Sequence, residues 1–424
     1  MAFSRPKGTN DFYGDKIREW QAIEAIIRNM CDEFLISELR TPMYEYADLF
    51  RRGVGETTDI VEKEMFTFTD AGGRLFALRP EGTANAARAY IENGMASLPK
   101  PLKLFYIMPN FRADKPQKGR YRQHHQFGVE YFGAEGPECE AEVISVANEL
   151  LMRVGIKGAL PHINSLGCTD CRARYNEALK GFLGDNLDKP CETCRGRFEK
   201  NPLRVLDCKN QACKELMTLA PLSTDVMDED CRLHFEGVQK HLKALGIDFT
   251  LSPKLVRGLD YYTRTVFEFF SADLGAQDSL FGGGRYDGLI QDCGGPKTAA
   301  VGFGMGIERL LIILEEQGVK LASSLKKPVF AGFMGEKGQL KALKLVQALR
   351  RAGIPAEFDL LARSVKAQMN YADKIGAAYS LIIGDDEVEK GIVKVKNMDS
   401  GETAEVRIDE LAEYFVKNSR EASK

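Results

Sequence analysis

The sequence has no long apolar run and no excess of basic residues. Its longest apolar stretches, such as that inside GIERLLIILEE, are well short of the ~20 residues that a membrane-spanning helix needs. The first ten residues contain no apolar segment of the kind found in a secretory signal. We therefore expect a cytoplasmic protein with no membrane segment. A formal net charge of −3 also excludes the bulk basic excess of many nucleic-acid-binding proteins, so charge alone gives no argument for RNA.

The composition that is present is typical of a globular protein. Of its 424 residues, 44% are hydrophobic and 28% are charged. This length exceeds what one hydrophobic core usually supports, so roughly two or three domains are expected. In a reducing compartment, the ten cysteines are interpreted as free thiols or metal ligands rather than as disulfides.

The pattern of apolar residues changes along the chain. An N-terminal helix is predicted from apolar residues spaced by three and four, and Trp20 lies on its core-facing stripe. After Pro42, short alternating runs predict antiparallel strands. Helices are predicted over 137–155 and 301–317, and a cysteine-bearing helical insertion over about 165–250. From about 328, strands alternate with helices, which predicts a separate α/β domain at 329–424. The domain limits are therefore 1–322 and 329–424, with SSLKKP (323–328) as a linker.

The strongest local signal is a predicted hairpin formed by residues 102–112 and 121–131. Its connecting loop is rich in Arg and Lys with Asp114 as the single acid, so it is suited to binding anions. On the return strand, Gln126, Gly128 and Glu130 share one face because strand side chains alternate. This face is interpreted as a polar recognition surface. The alternative is a solvated hairpin with a polar outer face.

Four further segments are candidates for ligand contact, and LVRGLDYYTRT in particular carries more polar groups than a structural turn needs. They are RPEGT (79–83), LVRGLDYYTRT (255–265), and the glycine-rich pair GGGRYDGL (282–289) and GFGMGIERLL (302–311). Arg309 falls in the first turn of a predicted helix, where a cation is disfavoured, so it is interpreted as an anion ligand. The alternative is a surface arginine beside a packing glycine.

These motifs together resemble those of class II aminoacyl-tRNA synthetases, and specifically of the histidyl-tRNA synthetase family. The resemblance covers essentially the full length, and KGTNDFYG, RPEGT, FRADKPQKGRYRQHHQFGVE, LVRGLDYYTRTVFE and GFGMGIERL occur in the family's order. It implies an α+β catalytic core, with an antiparallel sheet flanked by helices and a helical insertion. It also implies a C-terminal α/β anticodon-binding domain.

The resemblance implies that the chain activates histidine with ATP and transfers it to tRNA(His). In this family the histidine carboxylate attacks the α-phosphate of ATP and expels pyrophosphate. Arg112 and Arg257 would hold the α-phosphate as catalytic cations, Arg309 would bind the γ-phosphate, and Arg120 would also contact ATP. Mg²⁺ is expected on the pyrophosphate, although no motif defines its ligands.

The resemblance also assigns the amino-acid pocket and the RNA contacts. Glu81, Gly82, Thr83 and Gln126 match positions around the substrate's amino group. Glu130 and Tyr262, beside Tyr261, match those that meet the imidazole. The acceptor end of the RNA would lie near Gln117, Arg120 and Arg122. Residues 329–424 contain fifteen acidic and fifteen basic side chains, so an RNA-binding face there must be a local patch. A homodimer is expected through the sheet edge and helix near Pro42.

Two C-x2-C pairs lie in the predicted insertion. Cys168 and Cys171 are followed after nineteen residues by Cys191 and Cys194, a spacing compatible with one tetrahedral zinc site. Reduced, unliganded cysteines are the alternative. Further cysteines that could substitute as ligands or remain free thiols are Cys208, Cys213 and Cys231.

The histidines give weaker signals. His124 and His125 lie beside the predicted pocket, but strand alternation sends them to opposite faces, so at most one can line it. His162, His234 and His241 are interpreted as structural.

Two other functions agree less well with the sequence. A catalytically inactive relative, the regulatory subunit of ATP phosphoribosyltransferase, typically lacks the anticodon-binding domain and has altered active-site motifs, whereas both are intact here. A class II ligase for another amino acid is opposed by LVRGLDYY together with Glu130.

Overall fold

The structure is a computed structural model that describes residues 3–55, 58–186, 188–208, 210–271, 279–321 and 327–421. It separates into two units, Met1–Ser323 and Ser324–Lys424. Most of the predicted linker at 323–328 lies outside the described residues. Within the described part of the chain, no helix is both long enough and apolar enough to cross a membrane.

The first unit is built on a large sheet with helices on both faces. Its strands are β1 (Ser37–Glu38), β2 (Tyr44–Tyr46), β3 (Thr67–Thr69), β4 (Leu75–Leu78), β5 (Leu102–Phe111), β6 (Gln123–Phe132), β7 (Leu160–Ser165), β8 (Thr250–Leu251), β9 (Thr263–Phe270), β10 (Ser279–Arg285) and β11 (Ala300–Gly306). Its helices are α1 (Asp15–Glu33), α2 (Ala47–Val54), α3 (Thr83–Glu92), α4 (Pro137–Arg153), α5 (Thr169–Gly184), α6 (Glu192–Lys200), α7 (Gln211–Met217), α8 (Glu229–Ala244), α9 (Leu289–Asp292) and α10 (Ile307–Glu316).

Eight of these strands form the main sheet in the order β1-β5-β6-β11-β10-β9-β7-β8, and β2-β4-β3 form a small second sheet. The central strands pair antiparallel, while β1 with β5 and β7 with β8 pair parallel at the two edges. The predicted hairpin is confirmed as β5 and β6, and the sheet has the predicted antiparallel centre.

The two faces of this sheet have different roles. On one face, α1, α4, α8 and α10 bury the main core, which includes Phe127 and Val129 of β6. The predicted stripe of α1 is confirmed, since Trp20 and its helical neighbours are buried there. The other face packs against α3 and α9 and is rich in tyrosine, with Tyr106 and Tyr286 in its core. Because side chains alternate along β6, Gln126 and Glu130 point to this second face.

The region 301–317 differs from the prediction of a helix. Residues Ala300–Gly306 form the strand β11, and the helix begins only at Ile307. Glycine is required at two positions of this strand, because a Cβ on Gly302 would overlap the Glu130 carboxylate and one on Gly304 would overlap the Gln126 amide. The backbone of β11 therefore lies directly against the two polar side chains of β6.

The helices within the predicted insertion over about 165–250 pack into two different cores. Helices α5 to α7 share a small core of their own, in which Leu179, Leu203 and Leu216 are buried. Helix α8 instead buries Phe235 and Val238 in the main core, where it packs against α4. The segment with a separate core therefore ends before α8.

The second unit is the predicted α/β domain. Its elements are β12 (Val329–Met334), α11 (Glu336–Arg351), β13 (Ala356–Phe358), α12 (Val365–Lys374), β14 (Tyr379–Gly384), α13 (Asp385–Lys390), β15 (Ile392–Asn397), β16 (Thr403–Arg407) and α14 (Leu411–Glu421). The strand order is β13-β12-β14-β15-β16, with the first three strands parallel and the last two forming the expected hairpin.

Candidate active site

Glu130 is the centre of a buried polar pocket on the α3 face of the main sheet. Its carboxylate is fully buried and accepts a hydrogen bond from the Tyr106 hydroxyl at 2.9 Å and another from the Tyr286 hydroxyl. Burial raises the pKa of Glu130 to about 8. The carboxyl group is therefore mostly protonated at neutral pH and can exchange a proton with a bound nitrogen base.

Tyr106 fills the gap that the sequence indicated between Gln126 and Glu130. It lies directly opposite Gly128 in the β5–β6 register. A Cβ on Gly128 or on Gly82 would overlap its ring, so the phenol is held between two stretches of bare backbone. Tyr106 and Tyr286 were missed in the sequence reasoning. The cross-strand register with Gly128 could have identified Tyr106. For Tyr286 the only signal in the sequence was its position after Arg285 in GGGRYDGL.

Glu81 forms a second buried acid at the start of α3. Its two oxygens accept hydrogen bonds from the backbone N–H groups of Thr83 (2.6 Å) and Ala84 (2.8 Å). These are unpaired donors of the first helical turn, so Glu81 caps the helix. Burial raises the pKa of Glu81, and its negative charge contributes to the raised pKa of Tyr106. Glu81 and Thr83 therefore border the same pocket as Glu130.

Two further tyrosines line this pocket. The rings of Tyr261 and Tyr262 are 4.7 Å apart, and Tyr261 also contacts Tyr286 at 5.5 Å. Burial raises the pKa of both phenols; at Tyr262 the Arg257 cation opposes this effect, and the charge of Glu130 adds to it. Gln126 is oriented from β5, because its side-chain oxygen accepts a hydrogen bond from Asn110 at 2.7 Å. The residues predicted for histidine binding are thus gathered around one pocket.

Arginines from distant parts of the chain converge beside this pocket. Arg112 Nε donates to the Pro80 carbonyl at 2.8 Å, and Arg257 Nη1 lies 2.7 Å from Glu268. Arg309 donates to the carbonyls of Gly119 and Ser279. Burial lowers the pKa of Arg309, and the positive charges of Arg120, Arg112 and Arg257 lower it further. The structure therefore brings together the four arginines predicted to bind ATP.

The electrostatics of this arginine group favour an anion. Burial also lowers the pKa of Arg112. Burial alone would lower the pKa of Arg257, but the attraction of the Glu268 carboxylate is stronger, so the pKa of Arg257 is raised. Within the described part of the chain, the buried Arg257 Nε has no hydrogen-bond partner. Because desolvated cations repel one another, a polyanion that accepts their hydrogen bonds would be strongly stabilised here.

The predicted RNA-contacting loop forms a tight turn between β5 and β6. Gln117 and Arg120 exchange backbone hydrogen bonds of 3.1 and 2.9 Å, and the exposed Arg120 side chain pairs with Asp114 at 3.4 Å. Arg122 differs, since its backbone N–H donates to the Gly8 carbonyl and its Nε donates to the Asp114 carbonyl. Gln117 and Arg120 are therefore the more accessible of the three.

His124 and His125 point to opposite faces, as strand alternation predicted. Burial and the adjacent Arg112 lower the pKa of His124 to about 3, so it is a neutral neighbour of the arginines. The His125 ring packs edge-on against Trp20, and its Nδ1 lies 2.9 Å from Glu308. His125 therefore belongs to the α1 side of the sheet. His234 is buried and bonded to Glu140, and His162 contacts Ser252, in agreement with structural roles.

The cysteines form two groups rather than the single predicted one. Cys191 and Cys194 lie with Cys208 and Cys213, whereas Cys168 and Cys171 lie with Asp228 and Cys231. The prediction of one site from Cys168, Cys171, Cys191 and Cys194 is therefore wrong. The reason is that each C-x2-C pair begins a different helix, α5 or α6, and each helix meets different partners.

An antiparallel sheet that carries converging arginines beside an acidic pocket defines the catalytic core of a class II aminoacyl-tRNA synthetase. A family model described as histidyl-tRNA synthetase matches residues 9–165 and 203–310, and one described as an anticodon-binding domain matches 329–418. The chain belongs to the histidyl-tRNA synthetase family. Helices α5 and α6 lie in the gap between the two matched ranges of the first model.

Individual relatives are similar to this protein over nearly its whole chain. A histidine–tRNA ligase of Acetivibrio thermocellus is 51% identical over 411 residues, which are 97% of this chain and 99% of that protein. One of Desulforamulus reducens is 48% identical over 417 residues, or 98% of this chain and 99% of the relative. The crystal structure of apo S. aureus histidyl-tRNA synthetase superposes with a TM-score of 0.84 at 38% identity, covering 98% of this chain and 100% of that chain.

Proposed function

We propose that this chain is a histidine–tRNA ligase, which activates L-histidine with ATP and transfers it to the 3′ end of tRNA(His). The observation that carries the proposal is the position of Glu130, a buried acid between two phenols next to four converging arginines. An acid and phenols match the two ring nitrogens of an imidazole, and the arginines match a triphosphate. Relatives named histidine–tRNA ligase, which are 51% and 48% identical to this chain, support the proposal.

In the proposed reaction the arginines act by positioning and by neutralising charge. Arg112 and Arg257 would hold the α-phosphate while the histidine carboxylate attacks it, and Arg309 and Arg120 would hold the departing pyrophosphate. Mg²⁺ would screen the charge of the pyrophosphate. Glu268 and the Glu64–Asp114 pair lie beside the arginines and offer the oxygen ligands that Mg²⁺ prefers.

In the amino-acid pocket, Glu81, Thr83 and Gln126 would bind the substrate's amino group, with Gly82 leaving room for Tyr106. Glu130 would meet the imidazole together with Tyr262, beside Tyr261. Binding an N–H of the ring favours the charged carboxylate, so histidine would displace the proton from Glu130. An apolar side chain would leave the buried acid and phenols unpaired, which penalises wrong amino acids.

The partners of the enzyme follow from the same proposal. The acceptor end of tRNA(His) would approach Gln117, Arg120 and Arg122, and the anticodon would be read by a local patch of the second unit. A homodimer would cover the small sheet near Pro42, where Tyr44, Tyr46 and Phe68 are exposed. Tyr46 and Phe68 stack on Phe76, and Tyr44 meets it edge-on. A cytoplasmic location and a structural Zn²⁺ in the cysteine-bearing segment belong to this proposal too.

The test is histidine-dependent exchange of labelled pyrophosphate into ATP. The wild-type protein should support exchange with histidine and not with other amino acids. Glu130→Gln should weaken histidine use at least about 100-fold in kcat/KM, because the pocket loses its charged acceptor. Glu135→Gln is the matched control, since that exposed carboxyl lies just beyond the end of β6. Folded protein without exchange activity would instead favour the non-catalytic regulatory function.

A further inference from the structure

We propose that the segment from Cys168 to Cys231 binds two zinc ions at separate sites. The four-cysteine site consists of Cys191, Cys194, Cys208 and Cys213. The aspartate site consists of Cys168, Cys171, Asp228 and Cys231. In each site the four ligand atoms lie within 4.8 Å of one another.

The distances between the ligand atoms fit a single tetrahedral ion in each site. With Zn–S bonds of about 2.3 Å, a regular tetrahedron places two sulfur atoms about 3.8 Å apart. The Sγ atoms of Cys191 and Cys208 are 3.8 Å apart, and those of Cys168 and Cys171 are 3.6 Å apart. A disulfide would need about 2.05 Å. All ten cysteines of the chain fall within the described residues, and each of them is a free thiol.

Asp228 completes the aspartate site through one of its two oxygens. Its Oδ1 accepts the backbone N–H of Cys231 at 2.8 Å and so caps α8. Its Oδ2 lies 3.3 Å from Cys168 Sγ and 3.1 Å from Cys171 Sγ. Asp228-x2-Cys231 thus repeats the spacing of Cys168-x2-Cys171, and both pairs occupy the start of a helix. A search for cysteine pairs alone cannot find this half of the site.

Backbone hydrogen bonds to sulfur support metal binding at both sites. The Cys191 N–H donates to Cys213 Sγ at 3.2 Å. In the aspartate site, the Cys168 N–H donates to Cys231 Sγ at 3.1 Å and the Asp228 N–H donates to Cys171 Sγ at 3.2 Å. Such bonds orient ligands and stabilise thiolates around a metal. Each one joins the two chain segments that contribute to the same site.

The chemistry of the donors selects zinc. Sites of three or four thiolates with tetrahedral geometry favour Zn²⁺ over the oxygen-preferring Mg²⁺ and Ca²⁺. The four-cysteine site lies in the small separate core of α5 to α7, where Cys194 and Cys213 are buried. A core of this size gains much of its stability from a bound metal.

The aspartate site also positions part of the active site. It fixes the start of α5, and Arg172 in the first turns of that helix donates to the carbonyls of Asp260 (2.6 Å) and Tyr262 (3.0 Å). Loss of this zinc should therefore raise the KM for histidine more than it lowers kcat. This consequence rests on the proposed function, whereas the metal content does not, so the two can fail separately.

The test is zinc analysis of the full-length protein after incubation with Zn²⁺ and removal of free metal. Two zinc ions per chain are expected. Cys208→Ser should leave one ion, Asp228→Asn together with Cys231→Ser should leave the other, and the combined variant should leave none. Cys293→Ser is the control and should retain two, because Cys293 lies outside both groups. Wild-type protein without zinc, or variants with unchanged content, would overturn the proposal.

Replacement of zinc by Co²⁺ gives a second measurement that does not depend on activity. Both sites should give the intense visible bands of tetrahedral cobalt with thiolate ligands. Asp228→Cys should keep two metal ions and increase the sulfur-to-metal charge-transfer absorption, because the number of thiolates rises from seven to eight. A weak octahedral spectrum, or no change in Asp228→Cys, would contradict the assigned ligands.

Discussion

Arg285 and Arg309, two arginines of the catalytic unit, have contrasting partners. Arg285 is fully buried, and its five N–H donors bind the Glu140 carboxylate, Asp287 and the carbonyls of Ala134 and Gly136. Arg309 donates to the carbonyls of Gly119 and Ser279, and its charged neighbours are the cations Arg120, Arg112 and Arg257 as well as the Glu268 carboxylate. Burial opposes the charge in both places. Glu140 reverses that effect and raises the pKa of Arg285, whereas neighbouring cations strengthen it and lower the pKa of Arg309.

The buried acids show the same contrast. Burial would raise the pKa of Glu140, but hydrogen bonds from Arg285 and His234 lower it to about 2. Glu130 has phenols instead of cations as partners, and burial raises its pKa to about 8. When a buried charge has all its partners within the protein, removing one of those partners is costly to the fold. A buried acid that has only neutral hydrogen-bond partners, such as Glu130, remains able to pair with a ligand that brings an N–H group or a positive charge.

The largest effect is expected from breaking the complete network. Arg285→Met should leave Glu140 buried without its main partner and lower the free energy of unfolding by about 3–5 kcal/mol. Urea unfolding followed by the fluorescence of Trp20, the only tryptophan, measures this. Adding Glu140→Gln should recover part of the loss. An unchanged unfolding midpoint in Arg285→Met would contradict the structural role assigned to the Arg285–Glu140 pair.

A smaller energetic effect, on activity rather than on stability, is expected at Arg257, whose Nε has no hydrogen-bond partner within the described part of the chain. Arg257→Met should reduce pyrophosphate exchange by about 100- to 1000-fold, because a donor to the transition-state charge is lost. Its unfolding midpoint should change far less than that of Arg285→Met, since Arg257 is less completely paired. Steady-state kinetics and urea unfolding of the same preparations check both parts. A destabilisation equal to that of Arg285→Met would contradict this assignment.

The smallest effect concerns the pH dependence of the substrate-free protein. The pKa of Glu130 rises from an ordinary 4.5 to about 8 on folding, so the folded state holds a proton that the unfolded state has released. Stability should therefore fall as the pH rises through this window, by roughly 1–2 kcal/mol between pH 6.5 and 8. Glu130→Gln should remove this part of the slope in thermal unfolding curves. Saturating histidine should flatten the wild-type slope, and a slope that is identical in both proteins would argue against the raised pKa.

The sequence predicted elements whose pattern is local. The α1 stripe, the β5–β6 hairpin and the strand–helix alternation of the second unit follow directly from spacing. The arginines were identified by their motifs, and their convergence depends on a sheet order that no single segment encodes.

The differences arose where packing between distant segments decides the structure. Tyr106 is part of the pocket because of its register against Gly128, which local pattern does not give. The amphipathic pattern of α8 predicted a helix but not the core into which it packs. The glycine-rich β11 resembled the beginning of a helix, because glycines carry little strand signal. Glycine is required there because the Glu130 and Gln126 side chains of the neighbouring strand leave no room for a Cβ.

The bare backbone of β11 sets a limit on how the enzyme can evolve. Gly302 and Gly304 support the two polar side chains of β6 with main chain alone. A wall of side chains can be trimmed to admit a bulkier substrate, but a wall with no side chains has nothing left to remove. Broader amino-acid acceptance through this side of the proposed pocket would therefore require moving a central strand.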